Sequence, residues 1–282
     1  MIKLVASDLD GTIIDKNNLI FSNNFKAFDD LHKHNMNFVV CTGKTYPITK
    51  KMCSEINAKF GIFGNGNLIM DLENEKVLYK NLLSISEVLS CIDVAKEHNM
   101  HVHIYTETEV ITEQLKYLDL RNHNLQNSHE SGLSFKTVDN IRDYVELNNP
   151  EIFKLVISDD FSTKSIKEEL ENKLDLSITT IRKFGEYKDF IIDKEYEYLD
   201  ITSKNTNKQV ALEFLGNYLN IKTDEMLTIG DNLNDFDMIQ KAGIGVAVAN
   251  AYDELKEVAK YTTVNSVDKG GFAEAIYKFV KF

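Results

Sequence analysis

The sequence predicts an α/β protein whose parallel-sheet core is interrupted by an inserted α+β domain. Short apolar runs alternate with helical patterns near both ends of the chain, and this alternation is typical of βαβ units. Several of these runs end at glycine, which lets the backbone turn where a strand stops. The middle of the chain combines helices with alternating strands but lacks such glycine-rich strand ends. It is therefore predicted to form a separate domain.

The N-terminal part supplies the first half of the predicted core. An apolar run begins at Ile2 and predicts a buried first strand, and Pro47 suits the first turn of a helix, where its missing N–H costs little. The predicted elements are a strand at 2–8, a helix at 25–34, a strand at 37–41, a helix at 45–58, a strand at 60–65, and a hairpin of 68–71 and 77–79.

The insert is predicted over residues 83–193, and the core therefore combines 1–82 with 194–282. The predicted elements of the insert are a helix at 86–98, a strand at 101–105, a polar segment at 109–150, a strand at 152–158, a helix at 162–174, and strands at 177–182 and 189–192. The part of the core that follows the insert is predicted to contain strands at 198–201, 226–229 and 243–248. Its predicted helices are at 207–218, from 236 to about 241, at 253–260 and at 271–279.

Composition narrows the classes of function. The chain has 282 residues and a formal net charge of −12, which argues against nucleic acid or an anionic membrane as a partner. Three widely spaced cysteines (Cys41, Cys53 and Cys91) form neither a disulfide framework nor a zinc-binding pattern. They indicate a reducing compartment, so we expect a cytoplasmic protein. No apolar run approaches the ~18 residues of a membrane span.

Two carboxylates near the N-terminus are the first candidate functional residues. Asp8 and Asp10 follow the first predicted strand and precede Gly11. Residues two apart in a strand share one side, so two like charges fall together, and such a pair needs a cation, a shared proton or a phosphoryl chemistry. Asp231 follows the predicted strand at 226–229, and the carboxyl ends of such strands converge on one crevice. Three hard oxygen ligands at this edge predict Mg²⁺.

A phosphate site is predicted beside these acids. Thr42 and Gly43 end the second strand and can donate hydrogen bonds to phosphate oxygens, while Lys208 adds a positive charge. A carboxylate beside Mg²⁺ can attack phosphorus, and a second carboxyl group can protonate the leaving alcohol and then activate water. Asp8, at the strand end, is the predicted nucleophile, and Asp10, on the turn, is the predicted acid and base.

These motifs resemble the haloacid dehalogenase superfamily of phosphohydrolases, and most closely its Cof-type sugar-phosphate phosphatases. The motifs that carry the resemblance are Asp8-Leu9-Asp10-Gly11-Thr12, Thr42-Gly43, Gly64-Asn65-Gly66, Asn207-Lys208, Gly230-Asp231-x-x-Asn234-Asp235 and the run from Ala242 to Val248. The resemblance implies a Rossmann-like core with a cap domain inserted after the third strand, where the cap determines substrate specificity.

The resemblance also assigns roles to single residues. It implies that Asp8, the backbone carbonyl of Asp10 and Asp231 bind Mg²⁺, and that Thr42 and Lys208 hold the phosphoryl group. Asn234 and Asp235 complete the implied site, in contact with phosphate or metal-bound water. Lys44 stands where the family often has arginine, and Ala249-Asn250-Ala251 stands where it usually has Gly-Asn-Ala.

The sequence thus predicts a Mg²⁺-dependent phosphatase that acts on a small phosphorylated metabolite such as a sugar phosphate. A phosphomutase of the same superfamily and a non-catalytic protein that binds a phosphorylated ligand remain alternatives. A receiver-like signalling domain also pairs acids around Mg²⁺, but it is much shorter and has no large cap. The sequence makes no prediction of the oligomeric state.

Overall fold

The structure is a computed structural model that describes residues 1–113, 134–159, 163–187 and 190–282. The chain divides into two compact units. The first combines Met1–Lys80 with Thr206–Phe282, and the second comprises Asn81–Asn205. The second unit is thus an insertion within the sequence of the first.

Strands and helices alternate along much of the described chain. The strands, in chain order, are β1 (Leu4–Ser7), β2 (Asn37–Cys41), β3 (Phe60–Phe63), β4 (Leu68–Asp71), β5 (Lys76–Lys80), β6 (His101–Tyr105), β7 (Glu109–Thr112), β8 (Ser134–Thr137), β9 (Lys154–Asp159), β10 (Leu176–Tyr187), β11 (Phe190–Ser203), β12 (Met226–Gly230), β13 (Ile244–Ala247) and β14 (Tyr261–Thr262). The helices are α1 (Ser22–Lys33), α2 (Tyr46–Glu55), α3 (Ile85–Glu97), α4 (Ile141–Asn148), α5 (Lys164–Lys173), α6 (Lys208–Leu219), α7 (Phe236–Lys241), α8 (Asp253–Val258) and α9 (Gly271–Phe279).

The sheet of the first unit has the strand order β14-β13-β12-β1-β2-β3-β4-β5. The strands from β14 to β3 run parallel, and β4 and β5 extend the sheet as an antiparallel hairpin. From β1 the chain proceeds towards β3 on one side, whereas β12, β13 and β14 lie on the other. Ligands bind at such a reversal of strand order, outside the carboxyl ends of the strands.

The central strands of the first sheet are apolar runs because both of their faces are buried. Leu4, Val5 and Ala6 of β1 are fully buried, as central strands of parallel sheets are. An aromatic cluster packs α1 and α9 against β2: the ring centroids of Phe28 and Phe272 lie 4.8 Å apart, and each lies 5.7 Å from that of Phe38. This packing fixes the strands whose ends carry the candidate site.

The second unit contains a sheet of order β10-β11-β9-β6-β7-β8. Alternate residues of its strands, such as Val102, Ile104, Leu155 and Ile157, join one buried cluster with side chains of α3, α4 and α5. This period of two follows from the pleat, which sends neighbouring side chains to opposite faces. Helix α3, the first helix of this unit, begins with a capping box in which Ser84 and Glu87 exchange hydrogen bonds.

The second boundary of the predicted insert differs from the structure. Residues 198–201 were expected to return to the core, but they belong to β11, which pairs with β9 and β10 in the sheet of the second unit. The predicted boundary between residues 193 and 194 falls inside this strand. An alternating pattern predicts a strand but does not specify its sheet, because the sheet depends on which other strands it pairs with.

The polar segment predicted over residues 109–150 also contains regular structure. Its described parts form β7, β8 and α4. Residues 114–133 lie outside the described part of the chain, as does residue 189, where a strand was predicted to begin. Within the described residues, no helix combines the length and hydropathy needed to cross a membrane. The predicted α/β class, with a parallel-sheet core and an inserted domain, is confirmed.

Candidate active site

The end of β1 presents the first two acids of the candidate site. The amide of Asp8 donates to the carbonyl of Ile229 on β12 at 3.0 Å, which holds this end of β1 beside β12. Gly11 then turns the chain with a φ of +80°, a conformation that costs an L-residue energy. An alanine Cβ at Gly11 would lie 2.2 Å from Oδ2 of Asp231, so glycine is also required to make room for that carboxylate.

Lys208 is the buried cation of the site. It begins α6 directly after Asn207, whose side chain caps the helix by accepting from the amide of Val210 at 2.8 Å. The Lys208 side chain is 1% exposed, and its Nζ donates to Oδ1 of Asp8 and to Oδ1 of Asp235, both at 2.6 Å. A buried lysine requires such partners, because an unpaired charge away from water is very costly.

Asp235 supports this lysine and the loop that follows β12. It is fully buried, and its Oδ2 accepts from the amides of Asp231 and Asn232 at 3.0 and 3.1 Å. Both carboxylate oxygens of Asp235 therefore accept hydrogen bonds from the protein itself. An alanine Cβ at Gly230 would lie 2.6 Å from the same Oδ2, which explains the glycine before Asp231.

Asp231 completes the cluster of acids. Thr12 donates from its hydroxyl to Oδ1 of Asp231 at 2.9 Å and so links the loops after β1 and β12. Asp8, Asp231 and Asp235 each offer a carboxylate oxygen, and these three atoms lie within 4.8 Å of one another. With all three ionised, these carboxylates carry three negative charges against the one positive charge of Lys208, which leaves an excess of two negative charges.

Burial and this excess of acid shift the pKa values. Burial, partly offset by Lys208, raises the pKa of Asp8 above its usual range. Burial and then the neighbouring Asp235 carboxylate raise the pKa of Asp231 to about 6. Burial alone would lower the pKa of Lys208, but Asp235 and Asp8 raise it above its ordinary value, so it stays an ammonium ion. The cluster is therefore short of positive charge, which a cation would supply.

Thr42, Gly43 and Lys44 form the loop after β2. The hydroxyl of Thr42 accepts from the amide of Lys44 at 3.1 Å, and the carbonyl of Thr42 accepts from the amide of Asn65 at 3.0 Å. The side chain of Asn65 lies close to Gly43, where a Cβ would approach its Oδ1 to 3.2 Å. That same Oδ1 accepts from Nδ2 of Asn234 at 3.0 Å. Asn234 is therefore linked to the Thr42 loop through Asn65.

Hydrogen bonds join the predicted site residues into two sets. Lys208 contacts Asp8 and Asp235, and Asp235 in turn contacts the amide of Asp231. Asp10 is joined to the Thr42 loop by Lys44, whose Nζ donates to its Oδ1 at 2.7 Å. All these residues belong to the first unit.

Sequence reasoning gave no role to several residues that shape the site. Thr12 was noted only as part of a motif, although its hydroxyl binds Asp231. Asn250 was noted only as part of a departure from the family, yet its Nδ2 donates to the carbonyl of Gly11 at 2.8 Å and its Oδ1 accepts from the amide of Val267 at 2.8 Å. Its position three residues after the end of β13 was the available signal, because β13 lies beside β12, whose end carries Asp231.

Comparison with known proteins identifies the family. The model of the haloacid dehalogenase-like hydrolase family matches residues 5–276. The chain belongs to the haloacid dehalogenase-like hydrolase family. The resemblance predicted from its motifs is thereby confirmed, as is the assignment to the hydrolases.

Several curated relatives of this haloacid dehalogenase-like hydrolase are named as phosphatases. It is 27% identical over 280 residues to 5-amino-6-(5-phospho-D-ribitylamino)uracil phosphatase YcsE of Bacillus subtilis, covering 99% of this chain and 96% of the relative. It is 23% identical to phosphatase YwpJ of the same organism, covering 95% of this chain and 96% of the relative. Together with the family match, these relatives support a phosphatase of the Cof-type branch.

Solved structures share the whole fold. A haloacid dehalogenase-like hydrolase from Bacteroides thetaiotaomicron superimposes with a TM-score of 0.80 at 23% identity, covering 99% of this chain and 100% of the other. The subclass IIB sugar phosphatase BT4131 superimposes with a TM-score of 0.74 at 21% identity, covering 98% of each chain. At these identities the likeness concerns the fold.

Proposed function

We propose that this chain is a Mg²⁺-dependent phosphatase that hydrolyses a small phosphorylated metabolite through a phosphoryl group carried on Asp8. The observation that carries the proposal is the buried cluster in which Lys208 bridges Asp8 and Asp235 while Asp231 lies beside them. Three carboxylates against one buried ammonium leave negative charge to be compensated at the carboxyl end of a parallel sheet, where ligands bind. A site that binds a divalent cation and a phosphate ester requires that arrangement.

The acids of the cluster fit Mg²⁺. Carboxylate oxygens are its preferred protein ligands, and a divalent cation would supply the two missing positive charges. Asp235 already uses both oxygens for Lys208 and two backbone amides, so Asp8 and Asp231 are better suited to hold the cation. The backbone carbonyl of Asp10 is the third ligand that the family resemblance implies. When bound, Mg²⁺ would neutralise the charge between carboxylate and phosphate that otherwise repel.

Asp8 forms the covalent link in this proposal. Its carboxylate attacks phosphorus, and the bond to the leaving oxygen breaks with its electron pair while Asp10 gives that oxygen a proton. Water then attacks phosphorus and loses a proton to the Asp10 carboxylate, and the bond to Asp8 breaks to return its carboxylate. Lys208 lies 2.6 Å from the Asp8 oxygen, so its charge stabilises the negative charge that accumulates there. Thr42, Gly43 and Asn234 are proposed to bind the phosphate oxygens.

The substrate is proposed to be a phosphorylated sugar or a related small metabolite. One relative is named for 5-amino-6-(5-phospho-D-ribitylamino)uracil, and one structural neighbour is a sugar phosphatase. Both names describe phosphate monoesters of polyhydroxylated carbon chains. We propose that Asn81–Asn205, the second unit, is the cap that selects the substrate. We also propose that the protein acts in the reducing cytoplasm, in keeping with three free, buried cysteines.

The first experiment measures p-nitrophenyl phosphate hydrolysis by the purified chain with Mg²⁺ or with EDTA. We expect turnover only with Mg²⁺, and we expect Asp8→Asn to abolish it while the circular dichroism spectrum is retained. Asp237→Asn, which changes an aspartate on α7 outside the cluster, is the matched control and should keep full activity. Wild-type turnover in Asp8→Asn would refute the role of Asp8, and full activity in EDTA would refute the metal.

A second experiment identifies the reaction and the substrate. In Asp10→Asn the phosphoryl group should reach Asp8 from p-nitrophenyl phosphate but leave slowly, so acid-quenched protein should carry one phosphoryl group by mass spectrometry. A panel of phosphorylated metabolites, assayed for inorganic phosphate, should yield at least one sugar phosphate as a good substrate. If phosphate is retained and an isomeric sugar phosphate forms only with a bisphosphate activator, the protein is a phosphomutase instead.

A further inference from the structure

Lys44 forms an ion pair with the proposed acid and base of the reaction. Its Nζ donates to Oδ1 of Asp10 at 2.7 Å, and the two side chains are 32% and 50% exposed. Exposed ion pairs contribute little to stability, because water and salt screen them. The fold therefore gains little from this pair, and its location beside the proposed chemistry calls for a different explanation.

The backbone around both residues is fixed, which leaves the side chains as the adjustable part. The amide of Lys44 donates to Oγ1 of Thr42 at 3.1 Å, and its carbonyl accepts from the amide of Gly64 at 3.0 Å. On the other loop, the amide of Gly11, directly after Asp10, donates to the carbonyl of Ile14 at 2.8 Å. Lys44 thus reaches Asp10 from a fixed anchor on the loop proposed to bind phosphate.

The buried lysine of the site is already committed to other acids. Lys208 donates to Asp8 and Asp235 at 2.6 Å each, so its ammonium group serves the nucleophile. Lys44 serves the second acid, and each of the two proposed catalytic carboxylates therefore has its own lysine. A proton-transfer group has to be held in a productive orientation, because a small displacement costs a large part of the rate.

We propose that Lys44 is a positioning residue that holds the Asp10 side chain in the orientation from which it exchanges its proton, first with the leaving oxygen and then with water. This inference rests on the proposed phosphatase function. Lys44 itself exchanges no proton in this proposal and forms no bond to the substrate.

The test compares two esters of similar shape whose leaving groups differ in basicity. p-Nitrophenolate departs readily without a proton, whereas the more basic phenolate of phenyl phosphate depends on protonation by Asp10. The value of kcat/KM reports the steps up to phosphoryl transfer to Asp8 and excludes the later hydrolysis that both esters share. We expect Lys44→Met to lower kcat/KM for phenyl phosphate about tenfold, and for p-nitrophenyl phosphate by no more than about twofold.

Three further variants distinguish positioning from a general loss of structure. Lys44→Arg keeps the charge and a donor, so it should bring the ratio of the two kcat/KM values back towards the wild-type ratio. In an Asp10→Asn background, Lys44→Met should cause no further change in that ratio. Lys50→Met, which removes an exposed lysine of α2 that pairs with Glu75 at 3.6 Å, is the matched control and should leave both esters unaffected.

The outcomes separate this inference from the function on which it rests. If the wild-type protein cleaves neither ester with Mg²⁺, the proposed function fails and the inference fails with it. If the wild type cleaves both esters and Lys44→Met slows both equally, or neither, the inference alone is overturned. An equal rise in KM for both esters would also overturn it, because that result would mean that Lys44 contacts the phosphate group directly.

Discussion

Replacing Lys208 with methionine removes the buried positive charge of the site while keeping the length of the side chain. The change strands the carboxylates of Asp8 and Asp235, which are 5% and 0% exposed and each lose a 2.6 Å hydrogen bond. Removing one partner of a buried ion pair costs about 3–5 kcal/mol. Asp235 keeps two amide donors, so most of this cost falls on Asp8. Relative to a total stability of about 5–15 kcal/mol, the loss is large.

Differential scanning calorimetry in EDTA measures this loss. For a chain of this size, a loss of about 3–5 kcal/mol lowers Tm by roughly 6–20 °C. All three residues lie in the first unit.

The loss should also depend on pH. Burial raises the pKa of Asp8 in the native protein, and removing Lys208 raises it further. An acid whose pKa is raised by folding binds more protons in the native than in the unfolded state between the two pKa values. Stability of the variant therefore falls as pH rises through that window. The difference in Tm between wild type and Lys208→Met should be smaller at acidic pH, where Asp8 is protonated in both proteins, than at higher pH, where only the wild-type Asp8 is ionised.

Lys59 provides the matched control. It is also a buried lysine, but its Nζ donates to the carbonyl and the side-chain oxygen of Asn35, both neutral groups. Lys59→Met therefore strands no carboxylate and should cost about 1–2 kcal/mol, with little dependence on pH. If Lys208→Met and Lys59→Met lower Tm equally and without pH dependence, the charge argument for the site is wrong.

Three further predictions follow from single contacts. Gly11→Ala should abolish phosphatase activity and lower Tm, because its Cβ would lie 2.2 Å from Oδ2 of Asp231 in a backbone with φ of +80°. Gly43→Ala is the control: its Cβ would come no closer than 3.2 Å to Asn65, so Tm should change by only a few degrees in the same thermal scan. Burial raises the pKa of Asp231 from 3.8 to about 6, so the metal-free protein should become less stable as pH rises through that interval. Mg²⁺ should therefore raise Tm more at about pH 7.5 than at about pH 5, and Asp231→Asn should reduce the rise in Tm that Mg²⁺ causes. Both carboxylate oxygens of Glu274 accept hydrogen bonds, from Tyr261, Val264 and Asn265. In Glu274→Gln an amide NH₂ would oppose two of those donors, so the free energy of unfolding should fall by about 1–3 kcal/mol. An unchanged midpoint in chemical denaturation would contradict this.

The parallel core could be predicted from the sequence because its strands are buried on both faces. Such strands are continuous apolar runs, and β1, β2 and β12 all have this form. Glycine and aspartate directly after β1 and β12 then place candidate ligands at one edge of the sheet without knowledge of the pairing. The sequence therefore predicted that Asp8 and Asp231 lie near each other although 223 positions separate them.

The end of the insert could not be predicted in the same way. Residues 198–201 have the alternating pattern of a strand, and either sheet could have received it. In the structure, Leu199 is paired with Ile157 and Ile201 with Leu155, so pairing with β9 assigns these residues to the second sheet. Local sequence specifies the strand but not its partners, which for Leu199 lie 19 positions away on β10 and 42 positions away on β9.

The partners of the site's charged side chains could not be predicted from the sequence either, although they bear on the chemistry of the site. The motifs predicted both proposed catalytic aspartates, but not that each would be paired with a different lysine. The two pairs differ in burial: the Lys208 pair is enclosed, so it can hold a strong, permanent charge at the nucleophile, whereas the Lys44 pair is partly exposed to solvent. The enclosed charge of Lys208 favours the ionised form of the nucleophile, because a charge interaction is stronger away from water, whereas the partly exposed Asp10 can exchange protons with water. The difference in burial therefore supports different roles for two aspartates that are chemically identical in the sequence.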